Sequence, residues 1–246
     1  MNATNTAPTI TFRIPGDWSH PGELMDRLPE GFRLTPEALF LPGGTSIEFI
    51  PMPPDGKFPQ IFKTACRRPP TSDELARVAR YTVNVGLNGP GGSLDSALTM
   101  MQAAAAIVRA GGAGVFIDNC AMAHGGDNWI NMTDDGGPDA ISFAFTSIVR
   151  GPHEVYTMGM HAMGFPDLLT RRPDSDEEGE TIVEIIRYVC SSDKPIGVGH
   201  VLADELAQPR FHVQAAPSDE FGAQSPLHNP YGRLRIVSVK DIAEGN

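Results

Sequence analysis

Apolar and polar residues alternate over "TITFRI", residues 9 to 14, and this period of two predicts a strand. The segment "HPGELMDRL" (20 to 28) sets Leu24 and Leu28 four apart behind Pro21, the signature of a short helix. Two extended pieces, 38 to 41 and 46 to 51, flank Pro42-Gly43-Gly44 and predict a hairpin. A proline-dense stretch, 51 to 70, follows and reads as an internal connection. Beyond it, "TSDELARVARY" offers Thr71 or Ser72 as a helix N-cap with acids in the first turn, and leads into the strand "YTVNVGL".

A glycine turn then opens a helix of about residues 93 to 109, and "AGVFID" (113 to 118) restores a strand. Whether these two strands are neighbours, or parallel, is not readable from one sequence. Residues 119 to 139, dense in glycine and aspartate, read as a loop. "AISFAFTSIV" fits either a helix or an extended piece, and "EVYTMGMHAMG" a strand that breaks at Gly164. "TIVEIIRYVC" is an amphipathic helix through Ile182, Ile185, Ile186 and Val189, preceded by the acid-rich loop "RRPDSDEEGE". "RFHVQAA" and "GRLRIVSV" complete the strands. The pattern predicts an α+β protein with a mixed or antiparallel sheet and helices mainly on one face. A strand, helix, strand, strand rhythm on both sides of the prolines leaves two related halves open. The boundaries expected are an N-terminal α/β subdomain over 1–64 and a main α+β domain over 65–246, or one integrated domain.

Composition narrows the partners. The chain has 246 residues, 41% of them apolar, and a formal charge of −11 from 30 acids against 19 bases. Such a surface repels phosphate backbones, so nucleic acid is not expected, while a basic protein partner would be drawn to it. Cys66, Cys120 and Cys190 are odd in number and form no CxxC pair, as in reduced thiols of a cytoplasmic protein. The start "MNATNTAPTITF" lacks the basic and apolar regions of a secretory signal, and Gln102, Arg109 and the glycines 111, 112 and 114 interrupt the most apolar stretch short of a membrane span. No membrane partner and no cofactor are expected.

"GLNGPGGSLDSALTM" (86 to 100) raises the question of a phosphate loop. Gly86, Gly91 and Ser93 stand where that loop has its first glycine, last glycine and hydroxyl, but Gly92 stands in place of the lysine that reaches the phosphates. Backbone amides and Ser93 could still hold an isolated anion. The other reading is a tight turn with Ser93 as the N-cap and Asp95 supporting the helix dipole.

The loop "DNCAMAHGGD" holds Asp118, Cys120, His124 and Asp127, all metal-ligand types without a known ligand spacing. His161, between apolar neighbours, reads as a buried or pocket histidine, and Trp18 and Trp129 as interface anchors or core edges. The candidate binding set is therefore Asp118, Cys120, His124, Asp127, Trp129 and His161, with Gly91, Gly92 and Ser93 as a cap or anion site. No catalytic residue is assigned, and metal binding stays open.

"NGPGGSLDSAL" resembles the Asn-Ser-Pro-Gly-Gly-Ser turn of the Clp-type serine peptidases. Here Ala121 stands where that family has its nucleophilic serine, no serine lies between Ser96 and Ser142, and neither His153 nor His161 has the family's followers. Without a nucleophile the likeness implies no peptidase. A second resemblance covers roughly residues 70 to 200: "YTVNVGL", the helix after it, "GAGVFID", "VYTMGMHAMGFPDL" and "TIVEIIRYV" are similar to the bacterial family known as domain of unknown function 4261. It implies a bacterial, cytoplasmic α+β protein and transfers no catalytic residue.

Three function classes follow: a non-enzymatic binding protein, such as an immunity or inhibitor-type partner of a basic toxin or effector; a hydrolase using loop 118–127 with His161; and a subunit of a homo-oligomer.

Overall fold

A computed structural model describes residues 8–172, 180–191, 196–204, 206–218 and 220–239. In chain order the N-terminal part gives β1 (Thr9–Gly16), β2 (Arg33–Leu34), β3 (Ala38–Phe40), β4 (Ser46–Met52), α1 (Phe58–Ala65), α2 (Ser72–Ala79), β5 (Val83–Pro90) and α3 (Leu94–Arg109). The middle gives β6 (Gly114–Ile117), β7 (Met122–Gly125), α4 (Gly126–Asp135), α5 (Pro138–Phe145), β8 (Ser147–Arg150) and β9 (Glu154–Met158). After a 3-10 turn at Met160–Met163 come β10 (Asp167–Arg171), α6 (Glu180–Ser191), β11 (Val201–Ala203), β12 (Pro209–Ala216) and β13 (Arg233–Ser238). The fold is α+β, built on two sheets rather than one. The first is antiparallel in the order β2-β3-β4-β5-β1-β6-β7, and the second is mixed in the order β11-β12-β13-β10-β9-β8.

β1 lies between β5 and β6 and runs antiparallel to both, so β5 and β6 are parallel to each other without touching. α3 makes the crossover between them. Buried residues run without a break from Ala103 to Val108, so this alanine-rich helix is covered nearly all round, with the stripe of Asp95, Gln102 and Arg109 left to solvent. Sheet strands β1, β5 and β6 lie along it, and α4, α5 and the 3-10 turn close round the rest. Each fully buried Leu, Ile or Phe of this core contributes roughly 1.5–3 kcal/mol.

The cap signals read at the starts of α2 and α3 hold. Thr71 caps α2 in a reciprocal box with Glu74, Ser93 caps α3 by accepting from the Ser96 amide, and α6 buries Ile182, Ile185, Ile186 and Val189. Several expectations are corrected. The helix expected over 20–28 is one 3-10 turn, Pro21–Leu24. The proline stretch contains α1, because Pro59 falls in the first turn, where no amide is needed. Residues 119–139 are a strand and a helix: α4 buries Trp129, Met132 and Thr133 on one face, while Gly136, left-handed at φ 62°, ends it. Glycine and aspartate density hid that spacing. The strand through Tyr156 breaks at Gly159, earlier than Gly164.

The prolines do not divide the first sheet, which takes β1 to β4 from one side of them and β5 to β7 from the other. α1 and α2 pack on the face of that sheet opposite α3: Val115 and Ile117 belong to the main core, whereas Phe116 meets Phe58, Phe62 and Tyr81. The acid-rich loop from Pro173 to Gly179 lies outside the described residues. Among the described residues no helix is long and apolar enough to cross a membrane.

Candidate functional site

The glycine turn and the 3-10 turn, 70 residues apart in the chain, pack against each other. The Gly91 amide donates to the Pro8 carbonyl at 2.8 Å and the Gly92 amide to the Ala162 carbonyl at 2.9 Å. A Cβ at Gly164 would stand 2.5 Å from the Gly92 oxygen, and one at Gly159 2.2 Å from the Phe145 oxygen and 2.6 Å from Cβ of Cys120. Both residues have φ near +90°, so the close approach and the left-handed backbone each call for glycine. The two amides an anion would need are already spent on carbonyls. Gly91, Gly92 and Ser93 thus form a cap and a docking surface for the 3-10 turn.

His161 sits in that turn, buried at 1% exposure, with Nε2 at 3.1 Å from Nδ2 of Asn119. The orientation of the Asn119 amide is set by its other contacts: Oδ1 accepts from the Thr11 amide at 2.9 Å, and Nδ2 donates to the Thr9 carbonyl at 2.8 Å. Nε2 of His161 is therefore an acceptor, and the ring proton sits on Nδ1, which has no hydrogen-bond partner. Burial lowers the His161 pKa to about 4. The ring is neutral at pH 7.

Beside it, Asp167 is buried among donors. Its Oδ1 accepts from the Thr157 hydroxyl at 3.1 Å and the Met160 amide at 3.3 Å, and its Oδ2 from Nδ2 of Asn229 at 2.8 Å. Burial outweighs these bonds and raises the carboxyl to about 6. This network ties β10 and the segment before β13 to the same 3-10 turn.

The rest of the expected set does not join His161. Cys120 is fully buried and its thiol is pushed up to about 12 by that burial, so it holds its proton; no hydrogen bond joins it to His124 or His161. His124 lies between the Ala144 carbonyl, 3.0 Å from Nε2, and Nδ2 of Asn128, 3.3 Å from Nδ1. Those partners put its proton on Nε2, and burial takes its pKa down to about 4. Trp129 is core rather than interface: it donates from Nε1 to the Met101 carbonyl at 3.2 Å and meets Phe12 edge-on at 5.3 Å. Asp118 forms a bidentate pair with Arg13 at the surface, and Asp127 is exposed in the first turn of α4. Among the described residues no three His, Cys, Asp or Glu side chains come together as a metal site.

Asn119 and Asn229 were not singled out from the sequence, and Thr157 and Asp167 only as part of the stretch that carries the family resemblance, not as site residues. For Asn119 a signal existed. Continuing the β6 alternation through Val115 and Ile117 turns residue 119 inward and leaves 118 outward, as observed. For Asp167 and Asn229, 62 residues apart, no local signal exists. Comparison with protein-family models, curated proteins and solved structures found no match.

Proposed function

We propose that the chain is a protein-binding module of the inhibitor or immunity type whose partner is a basic protein such as a toxin or effector. The observation that carries this reading is where the carboxylates stand. α4 ends on Asp134 and Asp135 with no basic residue in its last turn, at the negative end of the helix dipole, where carboxylates weaken a helix. Asp95, Asp127 and Asp139, on α3, α4 and α5, are also exposed. Arg109 reaches Asp134 at 2.6 Å and Arg187 reaches Asp139 at 3.8 Å, but both pairs are exposed and offset little of this charge. On a chain of net charge −11 such a surface speeds and orients encounter with a cationic partner. The resemblance to domain of unknown function 4261 fits a bacterial, cytoplasmic setting for that encounter.

The hydrolase alternative has one observation in its favour, the unshared Nδ1 of buried His161. Against it stand a protonated, enclosed Cys120 and a His124 already held at both nitrogens. The test is capture of proteins from the native organism's lysate on the tagged chain at low and at moderate salt. One stoichiometric basic protein, released by salt and lost when Asp127, Asp134 and Asp139 are changed to Asn, is the expected result. No partner at either salt, with one tightly held metal per chain in the eluate, would move the function to hydrolytic chemistry.

A further inference from the structure

Among the described residues four strands bound the two sheets, and they are protected unequally. β2 has two residues and begins with Arg33, and β8 ends on Arg150. β7 is covered by a bridge from Cys66 to Ala123 and by the Arg67 amide, which donates to the Ala123 carbonyl. β11 reads Val201-Leu202-Ala203, with neither charge nor proline. A bare apolar edge is a template for another strand, which is why most edges carry a charge or a cover. Around β11 further apolar surface is open: Val198 is 63% exposed, Val201 47% and Leu206, at the tip of the hairpin, 80%.

The register of this edge is self-complementary. The His200 carbonyl accepts from the Val213 amide and the Asp204 amide donates to the Gln208 carbonyl, so residues 200, 202 and 204 turn their backbone groups inward. The ladder shifts register between Leu202 and Ala203, but the extra residue, Arg210, lies on β12, so alternation along β11 itself still turns the backbone groups of Val201 and Ala203 outward. A two-fold axis through Leu202 places Val201 opposite Ala203 of a second copy, and Ala203 opposite its Val201, each pair exchanging two hydrogen bonds. The same axis sets His200 against Asp204. Their remaining atoms suit each other: among the described residues His200 uses Nδ1 to accept from the Gly197 amide, leaving Nε2, and Asp204 uses Oδ1 for the Leu206 and Gln208 amides, leaving Oδ2.

We infer that β11 is the pairing edge of a homodimer, in which a second copy of this chain adds its own β11 antiparallel about Leu202 and joins the two six-stranded sheets into one. The contact is isologous and closes on itself, so it gives a dimer rather than a filament. Because the copies carry like net charge and the His200–Asp204 pairs are exposed, added salt strengthens this association, whereas it weakens binding of a basic partner.

The experiment is sedimentation equilibrium of the full chain from micromolar to millimolar concentration at low and moderate salt. The same runs are made on Val201→Lys, with an oxidative cross-linking run on Leu202→Cys. Expected are a monomer–dimer equilibrium that tightens with salt, at least about tenfold weaker association for Val201→Lys at unchanged melting temperature, and a covalent dimer of Leu202→Cys that wild type does not form. Leu202 touches the core, so a loosened hairpin could spoil that variant alone; the exposed Val201→Lys change decides in that case. A wild-type chain that stays monomeric throughout, or a dimer indifferent to Val201→Lys, overturns the inference. Neither outcome bears on capture of a basic partner, which uses the carboxylates of the helical layer.

Discussion

The 3-10 turn at Met160–Met163 and the hairpin of β11 and β12 are both short segments of the chain, and their construction is opposite. In the turn all four side chains are buried, and its backbone holds Gly92, Asp167 and Phe165 in place. In the hairpin Val201 and Leu206 stand in water and the backbone groups of Val201 and Ala203 face outward. The turn, His161 between methionines and flanked by Gly159 and Gly164, is the stretch whose composition suggests chemistry; the hairpin, although it holds Asp204 and His212, reads as plain strand. The lesson is that residue type marks where a chain needs special geometry, while availability for binding is decided by burial and by hydrogen bonds already made.

The strongest way to break this comparison is to put side-chain mass into the turn. Gly159→Ala would drive a Cβ into the Phe145 carbonyl and Cys120 at a left-handed backbone position, with an expected loss of about 4 kcal/mol in urea unfolding or failure to fold. A variant of near wild-type stability would mean that this region gives way easily and is not a tie. Next comes acid. His124 and His161 have folded pKa values lowered to about 4, below the ordinary 6.5, so the unfolded chain binds protons first. Their neutral burial costs nothing above pH 6.5, and stability is lost as pH falls from 6.5 to 4, roughly 3 kcal/mol for each ring. Asp167, raised to about 6, acts with the opposite sign and returns roughly 3 kcal/mol as pH falls from 6 towards 4. The net expectation is a loss of roughly 3 kcal/mol between pH 7 and pH 4, and His124→Gln should flatten most of it in urea titrations at each pH. A profile unchanged by that substitution would contradict the assignment.

A sharper test concerns the tautomer. Asn119→Asp replaces the amide donor facing Nε2 of His161 with a carboxylate, so the ring should gain a proton and titrate at higher pH in histidine NMR. The buried acceptors at Thr9 and His161 are also left facing an oxygen, and a stability loss of about 2 kcal/mol should accompany the shift. An unmoved His161 titration would show that the amide does not set its protonation. The smallest effect is expected from Ser93→Ala, about 1 kcal/mol of stability through the lost N-cap, with self-association and partner capture unchanged. A loss of binding at constant stability would restore the anion-site reading of the glycine turn.

What the sequence made legible was local. The caps at Thr71 and Ser93, the amphipathic face of α6 and the alternation of β1 depend on spacing within a turn or two. The insertion of β1 between β5 and β6, the parallel pairing of β10 with β13 in the second sheet and the meeting of Gly92 with Ala162 join residues 66 to 105 apart, for which one chain carries no periodic mark. α4 was obscured for a different reason. Its helical spacing, Trp129 to Met132 to Thr133, lies between glycine pairs that imitate loop composition. Of the expected site, burial of His161 was readable from its neighbours, but its partner Asn119 required following strand alternation past the end of β6.

The most direct test of the central claim, that the glycine turn and the 3-10 turn tie the two sheets together, is peptide-resolved amide hydrogen exchange on Gly164→Ala. Its Cβ would press on the Gly92 carbonyl. Protection should fall together in β1 and β5 of the first sheet and in β10 and β13 of the second. Loss confined to residues 91–93 and 160–164, with both sheets as protected as in wild type, would contradict it.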